Sequence, residues 1–281
     1  MAPAESEAAQ IVRQADPDRY LSALYAPAEK RGAIFALYAF NAEIAAVRDR
    51  VSQPLTGEMR LQWWRDTLAN AHNPAAMGES PLAAALLDTI RAYRLPVETL
   101  QDMLEARIFD LYDDPMPSRT DLEGYCGETA SALIQLSALV LDAEAAARTA
   151  ALAGHAGCAQ AITGLLRLLP IHRRRGQCYI PLDLLQAVGT SPDALLSGAD
   201  AAGATRAIAA MAALAREHLN AFRQGAGKIP APLRAAYLPL ALTEAYLDRI
   251  QSGAIDPLEE SAALAGPRRH WLLLKHALRG W

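Results

Sequence analysis

The sequence predicts an all-α fold, and three observations carry that prediction. Apolar residues recur every three to four positions over long stretches, the period of a helix that buries one face. No segment alternates β-branched and polar residues with the period of two that a half-buried strand needs. The composition, 52% hydrophobic and 21% charged with abundant alanine, suits long, closely packed helices and does not suit disorder. At 281 residues the chain is longer than most single domains, yet an all-helical fold of this length can close around one core. One helical domain is therefore expected over residues 19–281, after a weakly ordered lead of residues 1–18 that ends at the Asp16-Pro17-Asp18 turn signal.

The elements follow in order. Pro27 stands where a first-turn proline belongs and Glu29 near the positive end of a helix dipole. From there Ile34, Leu37, Phe40 or Asn41, Ile44, Val47 and Val51 form a stripe about five turns long that Gln53-Pro54 ends. A second helix starts near Thr56, a third covers Ser80 to Tyr93, and a fourth runs from Val97 to about Tyr112. The segment DDPMPSRTD is a loop. A long helix spans Leu122 to Leu141, where Gly127, Ala130 and Ser131 would let a neighbouring backbone come close. Another runs from Ala143 to Leu169 and breaks at Pro170. After a basic stretch and the segment YIPLDLLQAVG, helices are expected near Pro192–Leu196, Ala202–Gln224, Pro232–Ser252 and His270–Leu278.

Several function classes are excluded or disfavoured. A net charge of −4 and a pI near 5.9 provide no basic field for nucleic acid. Cys126, Cys158 and Cys178 are odd in number and lack C-x-x-C spacing, so buried free thiols are expected in place of a disulfide framework or zinc site. The N-terminus lacks the apolar core of a signal peptide, and no run of 18 apolar residues without a charge occurs; a cytoplasmic chain with no spanning helix is expected. Walker, G-x-G-x-x-G, G-x-S-x-G, H-E-x-x-H and EF-hand patterns are absent.

What remains is a set of polar residues on otherwise apolar helices, where all-helical proteins build sites between facing elements. If the first helix runs through Val51, a rotation of about 100° per residue puts Tyr38, Asn41, Ala45, Arg48 and Asp49 within about a third of its circumference, with Glu43 opposite. Either Arg48 and Asp49 form a solvated pair at a helix end or this face looks into a cavity. Gln160, Thr163, Gly164 and Arg167 recur at i, i+3, i+4, i+7 on another apolar helix. A buried Gln and Arg are costly without partners, which implies a polar cavity or a paired structural network. His172, Arg173, Arg174 and Arg175 concentrate positive charge after Pro170, as a solvated loop or as an anion or lipid-headgroup contact. One ring of Trp63-Trp64 is expected in the core and the other at a surface or groove. Asp110, Asp113 and Asp114 read as solvated acids. PRRHWLLLKHALRGW places basic residues and two tryptophans around an apolar core, permitting peripheral membrane contact or a docked terminal helix.

The segments YLSALYAPAEKRGAIFALYAFNAEIAAVRD, YCGETASALIQL and AQAITGLLR with CYIPLDLL, in this order, resemble the squalene/phytoene synthase superfamily over nearly the whole chain. Within it, GEMRLQWWRDTL and CAQAITGLLRLLPIHRRRGQCYIPLD resemble the branch that contains a mitochondrial complex I assembly factor with a phytoene-synthase-like domain. The resemblance implies an isoprenoid-synthase-like helical bundle around a central cavity, in which two helices each present a D-x-x-x-D pattern to Mg²⁺ ions holding a prenyl diphosphate. Carried over by position, the first pattern falls on Ala45 and Asp49, with a neighbouring aspartate replaced by Ala46, and the second on Leu168 and His172. Only Asp49 keeps a carboxylate. The resemblance thus implies no metal and no cofactor, and a non-catalytic or divergent factor supporting assembly of complex I (NADH:quinone oxidoreductase). Its partners would be complex I subunits or assembly intermediates, its place the inner face of the cytoplasmic membrane, and its ligand an isoprenoid or other lipid. The cavity would be lined by Tyr38, Asn41, Arg48, Asp49, Tyr125, Gln160, Arg167 and Tyr179, and any anion would be held directly by His172 and Arg173 to Arg175. The alternative is an active prenyl transferase that condenses prenyl diphosphates with Mg²⁺.

Overall fold

A computed structural model describes residues 6–73 and 80–281. Its regular elements are helical, and no strand occurs among the described residues. In chain order they are α1 (Glu7–Ala15), α2 (Pro17–Ala23), α3 (Ala28–Ala45), α4 (Pro54–Ala69), α5 (Pro81–Tyr93), α6 (Val97–Ala106), α7 (Arg119–Cys126), α8 (Ala132–Leu141) and α9 (Ala143–Ala147). There follow α10 (Ala150–Arg167), α11 (Leu169–Arg174), α12 (Leu182–Ala187), α13 (Pro192–Ser197), α14 (Ala201–Ala226), α15 (Arg234–Tyr237), α16 (Thr243–Gln251) and α17 (Gly266–Arg279). Most starts are written locally. Ser6, Asp16, Ser80, Ser118, Asp142, Ser191 and Asp200 each accept a hydrogen bond from a first-turn backbone N–H, satisfying donors that the helix itself leaves unpaired. Prolines sit in the first turns of α2, α4, α5, α11, α13 and α17, where the missing N–H costs nothing.

The chain forms two compact units. The first contains the described residues up to Tyr112 with Ala132–Ala150 and Ile229–Pro239. Its centre is α3, whose Ile34, Ala36, Leu37, Ala39 and Phe40 are buried and which packs on α1, α5 and α8. Lys30 Nζ donates to the carbonyl of Leu141 at the C-terminal end of α8, a favourable place for a cation on a helix dipole. Tyr237, fully buried, donates its hydroxyl to Thr149 O at 3.2 Å. The second unit contains Asp113–Ser131, Ala151–Lys228 and Leu240–Trp281. The 26-residue α14 packs there on α12, α13 and α16. The loop after Tyr112 is held by Met116, which donates to Cys178 O at 3.0 Å and accepts from Leu182 N at 2.9 Å.

Several elements differ from the sequence reading. Residues 7–15, within the expected lead, form α1, and Ala8, Ala9 and Val12 are buried. The helix expected to continue to Val51 stops at Ala45 and gives way to a 3₁₀ turn over Arg48–Arg50. The helix expected over Ala143–Leu169 is α9 and α10, and Pro170, expected to break it, opens the short helix α11. Pro232–Ser252 is interrupted by a 3₁₀ stretch over Leu238–Leu242 that contains Pro239, which has no N–H to continue an α-helical ladder. The segment Leu122–Leu141 contains a π turn over Gly127–Ser131.

That π turn faces Gly157 of α10. A Cβ on Gly157 would lie 2.3 Å from the Ser131 backbone nitrogen and 2.4 Å from its Cα, closer than van der Waals contact permits. Gly157→Ala is accordingly expected to cost about 2 kcal/mol in urea unfolding, the typical penalty of overpacking a fixed backbone contact. Gly154→Ala, whose Cβ meets nothing within 4 Å, should be neutral or stabilising by up to about 1 kcal/mol through helix propensity.

Candidate functional site

In the first unit, α3 carries Tyr38 and Asn41 into the interior, exposed by 3% and 8%. Burial raises the Tyr38 phenol above its usual range, partly offset by the Arg19 guanidinium and a hydrogen bond with Ser137; the Arg19 carbon lies 5.9 Å from the ring centre. Asn41 Oδ1 accepts from Arg107 Nη2 at 3.4 Å, and Arg107 Nη1 donates to Asp110 at 2.9 Å. Asp110, read from sequence as a solvated acid, is thus a buried counter-charge. Its location follows from the 3₁₀ turn over Phe109–Leu111, which turns its side chain back onto Arg107.

Arg48 and Asp49 do not continue the α3 face. The 3₁₀ turn changes the rotation per residue from about 100° to about 120°, so the helical count ends at Ala45; Arg48 is half-buried and Asp49 exposed. Glu43, expected on the opposite side, makes a bidentate pair with Arg50, one arm at 2.9 Å, across the end of α3. This pair borders an open groove of about 350 Å³ together with Val47, Trp63, Trp64 and Leu82. None of Tyr38, Asn41, Arg48 and Asp49 is among its lining residues. Trp64 is buried against Phe40, ring centres 5.1 Å apart, whereas Trp63 is half-exposed.

In the second unit, Tyr125, Tyr179 and His172 form an aromatic row. Tyr125 and Tyr179 ring centres are 5.9 Å apart, and His172 and Tyr179 4.7 Å apart; His172 and Tyr179 are both buried. On α10, Gln160 is half-buried, Thr163 is buried, and Arg167 lies over the Tyr246 ring at 3.6 Å with Nε donating to Ala262 O at 3.4 Å. A guanidinium on an aromatic face keeps its charge while losing little to desolvation. The sequence reading did not include Tyr246. The basic run His172 to Arg175 is not a uniform loop: its first three residues belong to α11, because Pro170 occupies a first turn. Arg173 donates to Leu196 O at 2.7 Å and Ser197 O at 3.2 Å and pairs with Glu259. Gly198, at φ +75°, caps α13, and a Cβ there would lie 2.6 Å from Arg173 Nη2. Arg173 is therefore a clasp on α13, Arg174 is exposed, and Arg175 half-buried.

A second polar chain escaped the sequence reading. Glu123 of α7 accepts from Arg119 at 2.7 Å and lies 3.2 Å from His218 Nε2 on α14. His218 Nδ1 lies 3.1 Å from His155 Nδ1 on α10. One of the two Nδ1 atoms donates and the other accepts, the direction being set by the tautomers of the two rings. Residues 123, 155 and 218 are too far apart in sequence for any local spacing to announce them. The three cysteines are buried, and burial pushes the Cys178 thiol up to about 11.

The residues at the positions matching the D-x-x-x-D patterns do not fit Mg²⁺. Mg²⁺ requires near-octahedral oxygen ligands. Ala45 and Leu168 have no side-chain donor atom; Leu168 is 43% exposed, and His172 rests on Tyr179. Asp49 alone supplies a carboxylate, from the surface of a 3₁₀ turn. Among the described residues no group of three or more His, Cys, Asp or Glu side chains is arranged to hold a metal ion.

The squalene/phytoene synthase family model matches residues 12–271. The bovine protein named NADH dehydrogenase (ubiquinone) complex I, assembly factor 6, is 31% identical over 249 residues, covering 88% of this chain and 74% of the relative. The human protein of the same name is also 31% identical, over 244 residues, covering 86% and 72%. In three dimensions the squalene synthase of Alicyclobacillus acidocaldarius aligns with a TM-score of 0.75 at 21% identity, over 88% of this chain and 92% of that one; at that identity the likeness concerns the fold.

The Asn41, Arg107 and Asp110 network makes a stability prediction. The Arg107 and Asp110 side chains are 14% and 8% exposed, so Asp110→Asn removes the carboxylate facing a buried guanidinium and should cost about 3 kcal/mol in chemical denaturation. Arg107→Met combined with Asp110→Leu should recover much of that loss, because it removes both charges.

Proposed function

Since the chain belongs to the squalene/phytoene synthase family, we propose that it keeps the family's helical scaffold as a non-catalytic or divergent factor supporting assembly of NADH:quinone oxidoreductase. What supports this reading is the set of residues at the four positions that the family resemblance matches to the D-x-x-x-D patterns. Of Ala45, Asp49, Leu168 and His172, one is a carboxylate, and metal-assisted departure of a diphosphate requires several. The 31% identity to proteins named complex I assembly factor 6 supports the assembly role. In this reading the protein acts peripherally on the inner face of the cytoplasmic membrane, its partners are complex I subunits or assembly intermediates, and its ligand is an isoprenoid or other lipid tail. Tyr125, Tyr179, His172, Gln160 and Arg167 are its contacts in the second unit, with apolar and aromatic surfaces for the tail.

The cellular test is deletion of the gene. Complex I content on native gels and NADH-dependent respiration should fall several-fold, and expression of either the native chain or its Asp49→Asn variant should restore both. Normal complex I in the deletion strain would sink the assembly role. The enzymatic rival is tested separately by incubating the purified protein with farnesyl or geranylgeranyl diphosphate and Mg²⁺. No diphosphate release above buffer is expected; turnover that Asp49→Asn abolishes would establish the prenyl transferase.

A further inference from the structure

The terminal helix α17 has two faces with different tasks. Its inner face is anchored: Leu273 is fully buried, His276 lies against Trp281 with ring centres 4.4 Å apart, and Trp281 meets Phe222 of α14 edge-on at 4.9 Å. Burial and the charge of Lys275 hold the His276 imidazole below its ordinary range, favouring the uncharged ring in that stack. The opposite face stays open. Trp271, Leu274 and Leu278 are 62%, 40% and 72% exposed, and at about 100° per residue they fall within roughly 60° of arc. Arg268, Lys275 and Arg279 fall in the next stretch of arc, along one edge of this apolar strip. The helix contains four Arg and Lys residues and no Asp or Glu, in a chain of net charge −4.

We propose that the outward face of α17 is a docking surface for anionic lipid bilayers, with Trp271, Leu274 and Leu278 entering the boundary between headgroups and acyl chains while Arg268, Lys275 and Arg279 pair with lipid phosphates. An indole and two leucines next to long cationic side chains match that boundary, where an apolar layer a few ångströms deep lies beneath phosphates. The charge selects the occupant. With Arg268, Lys275 and Arg279 along the strip and no Asp or Glu on the helix, the fitting occupant supplies negative charge all along the helix above an apolar layer, as an anionic lipid surface does. The 14 residues of α17 extend about 21 Å, short of the roughly 30 Å hydrocarbon core, and none of the described helices is long and apolar enough to cross a membrane. The helix lies on the bilayer.

This surface gives the peripheral placement proposed above its chemistry and rests on that reading only for its cellular setting. The test is co-sedimentation of the full-length protein with vesicles of phosphatidylcholine alone and of phosphatidylcholine mixed with phosphatidylglycerol. Binding to the mixed vesicles is expected and should fall with added salt. Leu274→Glu with Leu278→Glu should weaken it more than about tenfold. Lys275→Gln with Arg279→Gln should weaken binding to the mixed vesicles by about tenfold or more. Circular dichroism checks folding; if the double glutamate variant does not fold, Leu278→Gln in the last helical turn replaces it, with a smaller loss. A folded native chain that ignores mixed vesicles, or variants that bind as it does, would overturn the proposal. So would sedimentation velocity showing that the same substitutions abolish self-association while vesicle binding is absent, which assigns the face to a second copy. Failed vesicle binding alongside lost complex I in the deletion strain would remove this surface and leave the assembly role standing.

Discussion

Close approach between helix backbones is the constraint from which this structure follows. It is most severe where Gly157 meets the π turn at Ser131, with no room for a Cβ. Small residues also matter at Gly57, where an added Cβ would lie 2.5 Å from the Leu111 side chain, and along α3, where Ala36 and Ala39 have no exposure. Small residues let helices meet with few side chains between them. They leave the remaining large and polar groups, Phe40 and Asn41 in one unit and Cys158 and Gln160 in the other, in orientations set by the backbone contact. The same contact fixes α10 against the segment that begins with α7, and so brings His155 and Glu123 within reach of His218.

Buried charge in this protein is spent on architecture. Arg107 and Asp110 neutralise each other and engage Asn41, and Arg173 closes α13 through two carbonyls and Glu259. Arg167 lies over the Tyr246 ring. Burying such groups without partners would cost several kcal/mol each, so each is either paired or placed over an aromatic face. Those uses contrast with the motif positions, where alanine, leucine and a histidine packed on Tyr179 bring one carboxylate among them.

Much of the fold was legible in the chain itself because helix starts are local chemistry. Ser80, Asp142 and Ser191 cap the turns that directly follow them, and an apolar period of three to four residues needs no distant information. Helix ends were less legible. The 3₁₀ turn after Ala45 brings Arg50 back onto Glu43, and an apolar stripe that continues to Val51 hides it. The candidate site divided in the same way. The Tyr125, Tyr179 and His172 row lies within the predicted set. Arg48 was drawn into that set by a helical count that stops short of it, and Asp110, Tyr246 and His218 carried no local sign of their roles.

The sequence by itself determined the all-helical class, the starts of helices such as α3, α5, α6 and α13, and the burial of the three cysteines. Each of these is a property of residue type and short-range spacing. Only the tertiary structure decided which polar residues meet, that Asp110 is a counter-charge and Arg173 a clasp, and that α17 is anchored on one face and open on the other. Such outcomes depend on contacts between residues tens of positions apart in the chain, and a spacing rule limited to one helix carries no term for them.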